Sequence, residues 1–438
     1  MFIMDKDSAM TAELLAEFIG QHQTMRVQKY TPLRNLYEGK HKILDAAQKP
    51  NGKPDNRLVV NFSKYITDTF NGYFIGVPVK VTAQEERANT YLQRFDTYNN
   101  LENHNSELSK MVSMFGSAIE LLYMDERGEP CIAAVSPEEA FVVYDDSILH
   151  RPKYGVRYYT NTDGELEGSF SDAERVWYFD YEFKVLDSDG EPHNFGGVPL
   201  IEYIENEERL GTYEIVRTLI DEYDKAISEK ANDVDYFADA YMKVLGAPLD
   251  QETINTLRDS RIINIEAQDG MNVEVDFLDK PNADTTQEHL IDRLEKLIFT
   301  TSMVININDE SNANASGDAL RRRMLPMDNL AKVKENKFKA GFQKRYQLIT
   351  NVPTTPLTEN DWLGISYKFT RNTPRNLTEE AETAQKLAGI TSEETQLSIL
   401  SVVDDPMQEI QRKREELEAG DPYMQMVLQQ EPEQRPEE

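Results

Sequence analysis

Two adjoining stretches of the chain carry residue types that suit a contact with a polyanion. Residues 306–316 are rich in asparagine, and residues 321–345 contain nine basic side chains against two acidic ones. The whole chain, by contrast, has a net charge of −31. A basic segment inside such an acidic protein indicates a local contact with a polyanion or charge pairing between subunits. A solvated helix face is the plain alternative.

The motifs of a catalytic centre are missing. The sequence has no GxxxxGKS or GxxxxGKT run for nucleotide phosphates, no HExxH helix and no GxSxG turn. Its six histidines are scattered singly, and Cys131 is the only cysteine, which excludes cysteine–zinc clusters and an internal disulfide. Among 78 acidic residues no pair stands out as a hydrolase centre. We therefore predict no catalytic residue, no cofactor and no metal site, and no enzymatic activity.

One acidic segment resembles the start of a calcium-binding loop. Asp187, Asp189 and Glu191 have the spacing of its first three ligands. Pro192, however, occupies the position of the sharp-turn glycine, and Val198 that of the final bidentate carboxylate. We interpret the segment as a hairpin turn.

Length and composition predict two or three domains with a sizeable core. The chain has 438 residues, of which 39% are hydrophobic and 29% charged. The sequence contains no run of 18 apolar residues, so no membrane span is predicted. The N-terminus lacks the basic and apolar regions of a secretory signal. A single cysteine fits a reducing compartment. The surface of such an acidic chain is unsuited to coating nucleic acid. A protein of this charge could still surround nucleic acid without binding it tightly.

Apolar periodicity predicts the helices that position the two stretches. Residues 283–304 carry an apolar stripe at helical spacing. Its members are Leu290, Ile291, Leu294, Leu297 and Ile298. Because Asn and Ser compete with the helical backbone for hydrogen bonds, residues 306–316 are predicted to form a loop. Ser316 then caps a second helix that reaches about residue 349, which Pro326 must kink or split.

The rest of the pattern predicts an α+β fold that is mainly helical. Helical periods precede residue 114, and strands with Asp- and Gly-containing turns fill residues 118–177. A long helix begins at Gly211, and a short insert with strands at residues 261–266 and 273–278 separates it from the helix at residues 283–304. A strand at residues 365–369 and further helices follow. The tail from Gly420, rich in Pro, Gln and Glu, is expected to be disordered.

Five segments in this order resemble one known family. They are LYEGKHKIL (36–44), NRLVVNFSKYITDTFNGYFIGVPV (56–79), EIVRTLIDEYDKAISEKANDVDYFADAYMKVLG (214–246), NANASGDALRRRM (312–324) and YKFTRNTPRNLTEEAETAQKLAGITSEETQLSIL (367–400). Each is moderately specific alone, but together they span nearly the whole chain. The sequence resembles the portal proteins of tailed bacteriophages, in the SPP1-like portal family.

The resemblance implies a portal fold of four regions called wing, stem, clip and crown. The wing takes residues 1–210, with helices and a hairpin-rich sheet, and the stem takes the helices at residues 211–245 and 283–304. The clip is the small α/β insert at residues 246–282. Residues 305–316 fall where the family has its tunnel loop. The remaining regions are the long basic helix and wing return strand (317–374), the crown helices (375–419) and a disordered acidic tail (420–438).

The resemblance also implies a function and partners. It implies a homo-oligomeric ring, usually of twelve subunits, at one capsid vertex of the virion, assembled in the host bacterial cytoplasm. Its channel would carry double-stranded DNA during packaging and ejection. The ring would serve as the platform for the terminase large subunit and the head–tail adaptor, with the major capsid and scaffolding proteins as further partners and no membrane. The ATPase of the packaging motor would be another chain.

Two sets of site residues follow from this placement. The tunnel-loop candidates, expected to make weak neutral contacts to DNA, are Asn306, Asn308, Asn312, Asn314 and Ser316. The candidates for a subunit interface or DNA contact are Arg321, Arg322, Arg323, Lys332, Lys334, Lys337 and Lys339. These cations cannot all face one way on a kinked helix, so a mixture weighted towards subunit contacts is favoured. Two alternatives remain, another head–tail adaptor or minor capsid protein, and an acidic hydrolase.

Overall fold

The computed structural model describes residues 1–49, 53–238, 242–245, 274–277, 284–307, 317–373, 377–400, 402–403 and 406–420. Helices and strands are mixed along the chain, which confirms the predicted α+β class. The chain divides into two compact units, Met1–Arg371 and Asn372–Glu438. Within the described ranges, no helix combines the length and apolarity that a membrane crossing requires.

The first unit contains the four described sheets and the long helices. Its helices are α1 (Ala12–Met25), α2 (Thr31–Tyr37), α3 (Phe62–Ile75), α4 (Glu86–Asn99), α5 (Leu101–Phe115), α6 (Arg217–Ala238), α7 (Asp284–Ser302) and α8 (Gly317–Thr350). Its strands are β1 (Phe2–Met4), β2 (Lys80–Ala83), β3 (Ser117–Met124), β4 (Pro130–Val135), β5 (Ala140–Asp145), β6 (Pro152–Thr160), β7 (Leu166–Ser171), β8 (Arg175–Phe179), β9 (Glu191–Pro192), β10 (Leu200–Ile204), β11 (Met242–Leu245), β12 (Glu274–Phe277) and β13 (Ile365–Lys368). We call α8 the basic helix.

A six-stranded sheet with the order β1-β5-β6-β7-β8-β9 is covered by α1. Apart from β1, which runs parallel to β5, all neighbouring strands are antiparallel. Leu15, Phe18 and Ile19 are buried at helical spacing on α1, in one cluster with Phe141 and Val156 of the sheet. The alternating strand pattern and the helical stripe therefore meet in a core of their own.

His22 joins α1 to this sheet as a buried neutral imidazole. Its Nε2 lies 2.8 Å from the carbonyl oxygen of Pro137, which can only accept, so Nε2 carries the proton. Its Nδ1 then accepts from the hydroxyl of Tyr158 at 2.7 Å. Burial disfavours the charged ring and lowers the pKa of His22 to about 4.

The stability of the protein should fall on acidification because of His22. The pKa of this histidine is 6.5 in the unfolded chain and about 4 in the folded protein. Between these two pH values the unfolded chain binds one proton more than the folded protein, so acidification favours unfolding. The free energy of unfolding should therefore decrease by about 3 kcal/mol across this window. In His22→Gln, whose amide can also donate and accept, urea unfolding should show a shallower pH dependence by that amount. Equal slopes for both proteins would contradict this assignment.

A three-stranded antiparallel sheet, β10-β3-β4, lies in the largest core. Phe70 and Phe74 of α3 and Phe338 and Phe342 of the basic helix are fully buried there with Tyr203 of β10. The Phe338 ring lies 5.4 Å from Phe74 and 5.2 Å from Tyr203, between centroids. Aromatic packing therefore fixes the C-terminal half of the basic helix between α3 and β10.

The first long helix differs from the prediction at both ends. The first was expected to continue to residue 245, but α6 ends at Ala238 and β11 follows, paired antiparallel with β12. Residues 246–273 and 278–282 of the predicted clip, including its strand at 261–266, lie outside the described residues. The turn before α6 includes a short 3-10 segment, Glu214–Val216, so the helix also begins later than Gly211.

The apolar stripe of α7 is narrower than predicted. Ile291, Leu294 and Ile298 are buried, whereas Leu290 and Leu297 are 52% and 38% exposed. Only one face of the helix packs on the core, and the two exposed leucines lie outside that face. The basic helix is a single helix with Pro326 inside it, so the proline does not split it, and the predicted alternative, a kink, stays a prediction.

The second unit contains three described helices. They are α9 (Leu377–Leu387), α10 (Glu393–Ile399) and α11 (Pro406–Gly420). Ser392 caps α10 by accepting the N–H of Thr395, and Lys413 of α11 pairs with Glu393 of α10 at 2.7 Å. The unit begins at Asn372, close to residue 375 where the crown was expected. Residues 421–438, predicted to be disordered, lie outside the described residues.

Candidate nucleic-acid interface

The asparagine-rich run starts at a helix end of defined geometry. α7 ends at Ser302, and Met303 has a positive φ of 61°. This left-handed conformation terminates helices by turning the chain away from the axis. Val304 is buried in the core immediately afterwards. The run therefore begins at a fixed point of the first unit.

The one described asparagine of the predicted loop is bonded within its own subunit. The side-chain amide of Asn306 donates to the carboxylate of Glu295 on α7 at 3.0 Å. The next residue, Ile307, donates its N–H to the hydroxyl of Tyr65 on α3 at 2.9 Å. The other predicted loop residues lie outside the described residues, so their role stays a prediction. They are Asn308, Asn312, Asn314 and Ser316.

The cations of the basic helix fall into three environments. Four of the predicted residues are exposed. They are Arg321, Arg322, Arg323 and Lys332. Lys337 pairs with Glu207, and Lys339 pairs with Glu335 at 2.6 Å, while both lysines stay about one-third exposed. These two are already partly neutralised within the subunit.

Lys334 is buried inside its own subunit, so its predicted contact with DNA or a neighbouring subunit is wrong. Its ammonium group lies 2.9 Å from a carboxylate oxygen of Glu205. It also donates to the hydroxyl of Ser113 at 2.7 Å and to the carbonyl of Ser109 at 3.0 Å. Burial lowers the pKa of Lys334 and raises the pKa of Glu205, and their mutual attraction opposes both shifts. The residue holds the middle of the basic helix to α5.

A second buried group holds the end of the basic helix. The guanidinium of Arg345 donates from Nε to Glu120 of β3 at 2.8 Å and from Nη2 to the amide oxygen of Asn105 at 2.9 Å. His104 Nε2 lies 2.7 Å from the carboxylate of Glu120. The hydroxyl of Tyr203 donates to the same carboxylate at 3.1 Å. Burial raises the pKa of Glu120, but Arg345 and His104 outweigh burial and hold the pKa at about 2.

Sequence reasoning missed this buried pair, although a weak signal existed. Glu120 is a lone charge within an apolar strand, and Arg345 follows the buried Phe342 by three residues. A charged residue in an otherwise apolar segment predicts a buried partner of opposite charge. Sequence alone gave no means of pairing two residues that are 225 positions apart.

The arrangement offers electrostatic contact at one end of the basic helix. Its exposed arginines, Arg321, Arg322 and Arg323, lie in the first two turns, directly after the asparagine-rich run. Among the residues that the structure describes, no three His, Cys, Asp or Glu side chains are grouped as a metal site requires. In the second half of the helix, Lys337 and Arg345 pair with Glu207 and Glu120 elsewhere in the unit. Lys339 and Lys344 bond instead to Glu335 and Gln347 of the helix itself.

Comparison with known families assigns the class of the protein. The family model "Phage portal protein, SPP1 Gp6-like" matches residues 16–423. The chain belongs to this family of phage portal proteins. It is 22% identical over 450 residues to the portal protein of Bacillus phage SPP1, covering 95% of this chain and 87% of that protein. It is also 22% identical over 400 residues to the portal protein of Clostridium phage phiCD119, covering 83% of this chain and 87% of that protein.

Membership of this family confirms the resemblance that the five segments indicated. The family is one of structural proteins rather than enzymes. Phage portal proteins are oligomeric ring components of the virion. The protein is therefore a portal protein, and the head–tail adaptor and hydrolase alternatives lose their support.

Proposed function

We propose that the chain forms a ring at one capsid vertex whose central channel conducts double-stranded DNA during packaging and ejection. The observation that carries the proposal is the family match, which spans residues 16–423 and therefore both compact units. In this proposal α6 and α7 are the stem helices, and the residues that follow Val304 form the channel loop. The first unit up to α6, with β13 and the basic helix, is the wing.

The charge of the stem helices supports conduction without tight binding. α6 contains six acidic residues against three basic ones, and α7 contains four against two. Each Lys or Arg paired with a phosphate would have to be released for the duplex to advance, so a dense basic wall would retard movement. An acidic wall repels the phosphate backbone and keeps the duplex centred. Asparagine side chains on the loop supply weak neutral contacts.

The exposed cations of the basic helix are proposed mainly as contacts between subunits. Arg322 and Lys332 are exposed, and each subunit has a large excess of acidic side chains to offer its neighbour. A ring needs a heterologous interface in which different surfaces of adjacent copies meet, so opposite charges on the two surfaces favour closure. We propose twelve copies, assembled in the host bacterial cytoplasm. The proposed partners of the ring are the terminase large subunit, the head–tail adaptor, the major capsid protein and the scaffolding protein.

Native mass spectrometry and negative-stain imaging of the purified protein test this proposal. The wild-type protein should form a closed ring with a central hole, whereas a compact dimer would contradict the proposal. Arg322→Glu should reduce the ring fraction severalfold at low salt, because it places an acid where the neighbour presents acids. Arg127→Glu, the same charge change in the exposed turn between β3 and β4, is the control and should leave ring formation unchanged. A complete ring for Arg322→Glu would contradict the subunit role of this residue.

A further inference from the structure

Tyr65 on α3 contacts both α7 and the start of the asparagine-rich run. Its hydroxyl accepts the N–H of Ile307 at 2.9 Å. Its ring lies edge-on to Phe299, with the centroids 5.6 Å apart and the ring planes at 83°. One side chain thus contacts the last turn of α7 and the residue five positions beyond its end.

The ring of Phe299 on α7 also links Tyr65 to α6, through Phe62. Phe299 also meets Phe62 of α3 edge-on at 5.6 Å, and Phe62 meets Tyr223 of α6 edge-on at 4.8 Å. Edge-to-face pairs of this kind have a preferred geometry as well as a favourable contact area. The first turns of α3 are therefore packed against both α6 and α7.

The extended residues before α3 are hydrogen-bonded to α6 at regular intervals. The N–H groups of alternate residues Asn56, Leu58 and Val60 each donate to a side chain, at 2.6, 2.9 and 2.9 Å. The acceptors are Asn232, Ser228 and Asp224, in that order. Two residues of extended chain span roughly 6.6 Å and four residues of helix roughly 6 Å, so the two spacings match. All three acceptors are buried on one face of α6.

We infer that Tyr65 is a positioning residue for the channel loop. Residues 56–65 form a bracket that is fixed to α6 by the hydrogen-bond ladder and to α7 by aromatic contacts. The hydroxyl of Tyr65 then sets the point at which the chain leaves α7 for the loop. Any shift of α6 against α7 reaches Ile307 through this bracket. The inference rests on the proposed function, since it takes the residues after Val304 as the loop that contacts DNA.

Tyr65→Phe tests the inference, because it removes one oxygen atom and keeps the ring against Phe299. Hydrogen exchange of the peptide containing Ile307 should become about two- to tenfold faster in the assembled ring, as expected for the loss of one hydrogen bond. Filled heads that carry the variant should lose packaged DNA severalfold faster. Ring formation and the thermal unfolding midpoint should not change, which separates positioning from a general structural role.

Tyr37→Phe is the matched control. The hydroxyl of Tyr37 donates to Asp68 of α3 at 2.8 Å and has no described contact with Ile307. Removing it should change neither the exchange of the Ile307 peptide nor DNA retention. Unchanged exchange or unchanged DNA retention in Tyr65→Phe would overturn the inference.

A loop variant separates failure of this inference from failure of the proposed function. It replaces four asparagines by alanine, at Asn306, Asn308, Asn312 and Asn314. If it weakens DNA retention while Tyr65→Phe does not, the loop function stands and only the positioning role is wrong. If neither variant changes DNA retention, the proposed loop function is wrong and the inference falls with it. Loss of DNA retention in both variants supports both.

Discussion

Replacing Arg345 with methionine is expected to lower the free energy of unfolding by about 3–5 kcal/mol. The variant removes the guanidinium that pairs with Glu120 while keeping most of the apolar length of the side chain. Both partners are fully buried, so Glu120 would be left as a buried acid with only the hydrogen bonds to His104 and Tyr203. Without Arg345, burial should also raise the pKa of Glu120. The variant should therefore lose the acid destabilisation that this carboxylate contributes in the wild type as the pH falls from 4.5 to about 2.

A double-mutant cycle measured by urea unfolding isolates the pair. Glu120→Leu alone should also be costly, because it leaves Arg345 buried without its counter-charge. The double variant should cost less than the sum of the two single variants, with a coupling energy of about 3 kcal/mol. It should not recover wild-type stability, since His104, Tyr203 and Asn105 lose hydrogen-bond partners, at about 1–3 kcal/mol for each that stays unsatisfied.

Lys64→Met is the control for this change. Lys64 pairs with Asp68 on the exposed side of α3, with 55% and 42% of the two side chains accessible. Such a pair contributes about 0–1 kcal/mol, so the variant should unfold almost as the wild type does. Two results would mean that the buried pair is not coupled. One is a double variant whose loss of unfolding free energy equals the sum of the losses in Arg345→Met and Glu120→Leu. The other is a loss in Arg345→Met as small as that in Lys64→Met.

The mixed fold class and the second long helix were within reach of sequence reasoning, because periodicity reports burial directly. Residues 283–304 were predicted from their apolar spacing, and α7 occupies 284–302. The end of α6 was not predictable in the same way. The apolar residues that follow Ala238 have no Gly or Pro before Gly246, and the strand β11 exists only because β12 pairs with it from about 30 residues away. Such pairing is a tertiary effect.

The basic helix shows the same limit for charge. Its excess of positive residues was visible in the sequence, and the prediction treated seven of its nine cations, Lys334 among them, as candidates for an external contact. Lys334 and Arg345 are instead buried, because two acids that are distant in sequence approach them: Glu205, directly after β10, and Glu120 of β3. A cation count along a helix therefore overstates its external charge whenever acids from elsewhere in the fold reach it. Arg322 and Lys332, which are exposed, remain the better candidates for contacts outside the subunit.

Gly116→Ala is expected to destabilise the protein by roughly 3 kcal/mol or more, from two independent causes. Gly116 joins α5 to β3 with a positive φ of 83°, which costs an L-residue about 1–2 kcal/mol. A Cβ atom there would also lie 2.0 Å from the carbonyl oxygen of Arg209, which must move. Such overpacking costs about 1–3 kcal/mol. The carbonyl resists displacement because Lys29 donates to it at 2.6 Å and Glu202 holds the guanidinium of Arg209 through two bonds of 2.8 Å.

Gly164→Ala separates the two causes in the same assay. Gly164, in the turn between β6 and β7, has the same φ of 83° but no atom within 4 Å of an added Cβ. Its substitution should therefore cost only the conformational part, about 1–2 kcal/mol. The difference between the two variants in urea unfolding measures the contact with Arg209. Equal losses of unfolding free energy in the two variants would show that the backbone at Arg209 moves aside at no measurable cost. The junction between α5, β3 and the chain leading to α6 would then be less rigid than its hydrogen bonds imply.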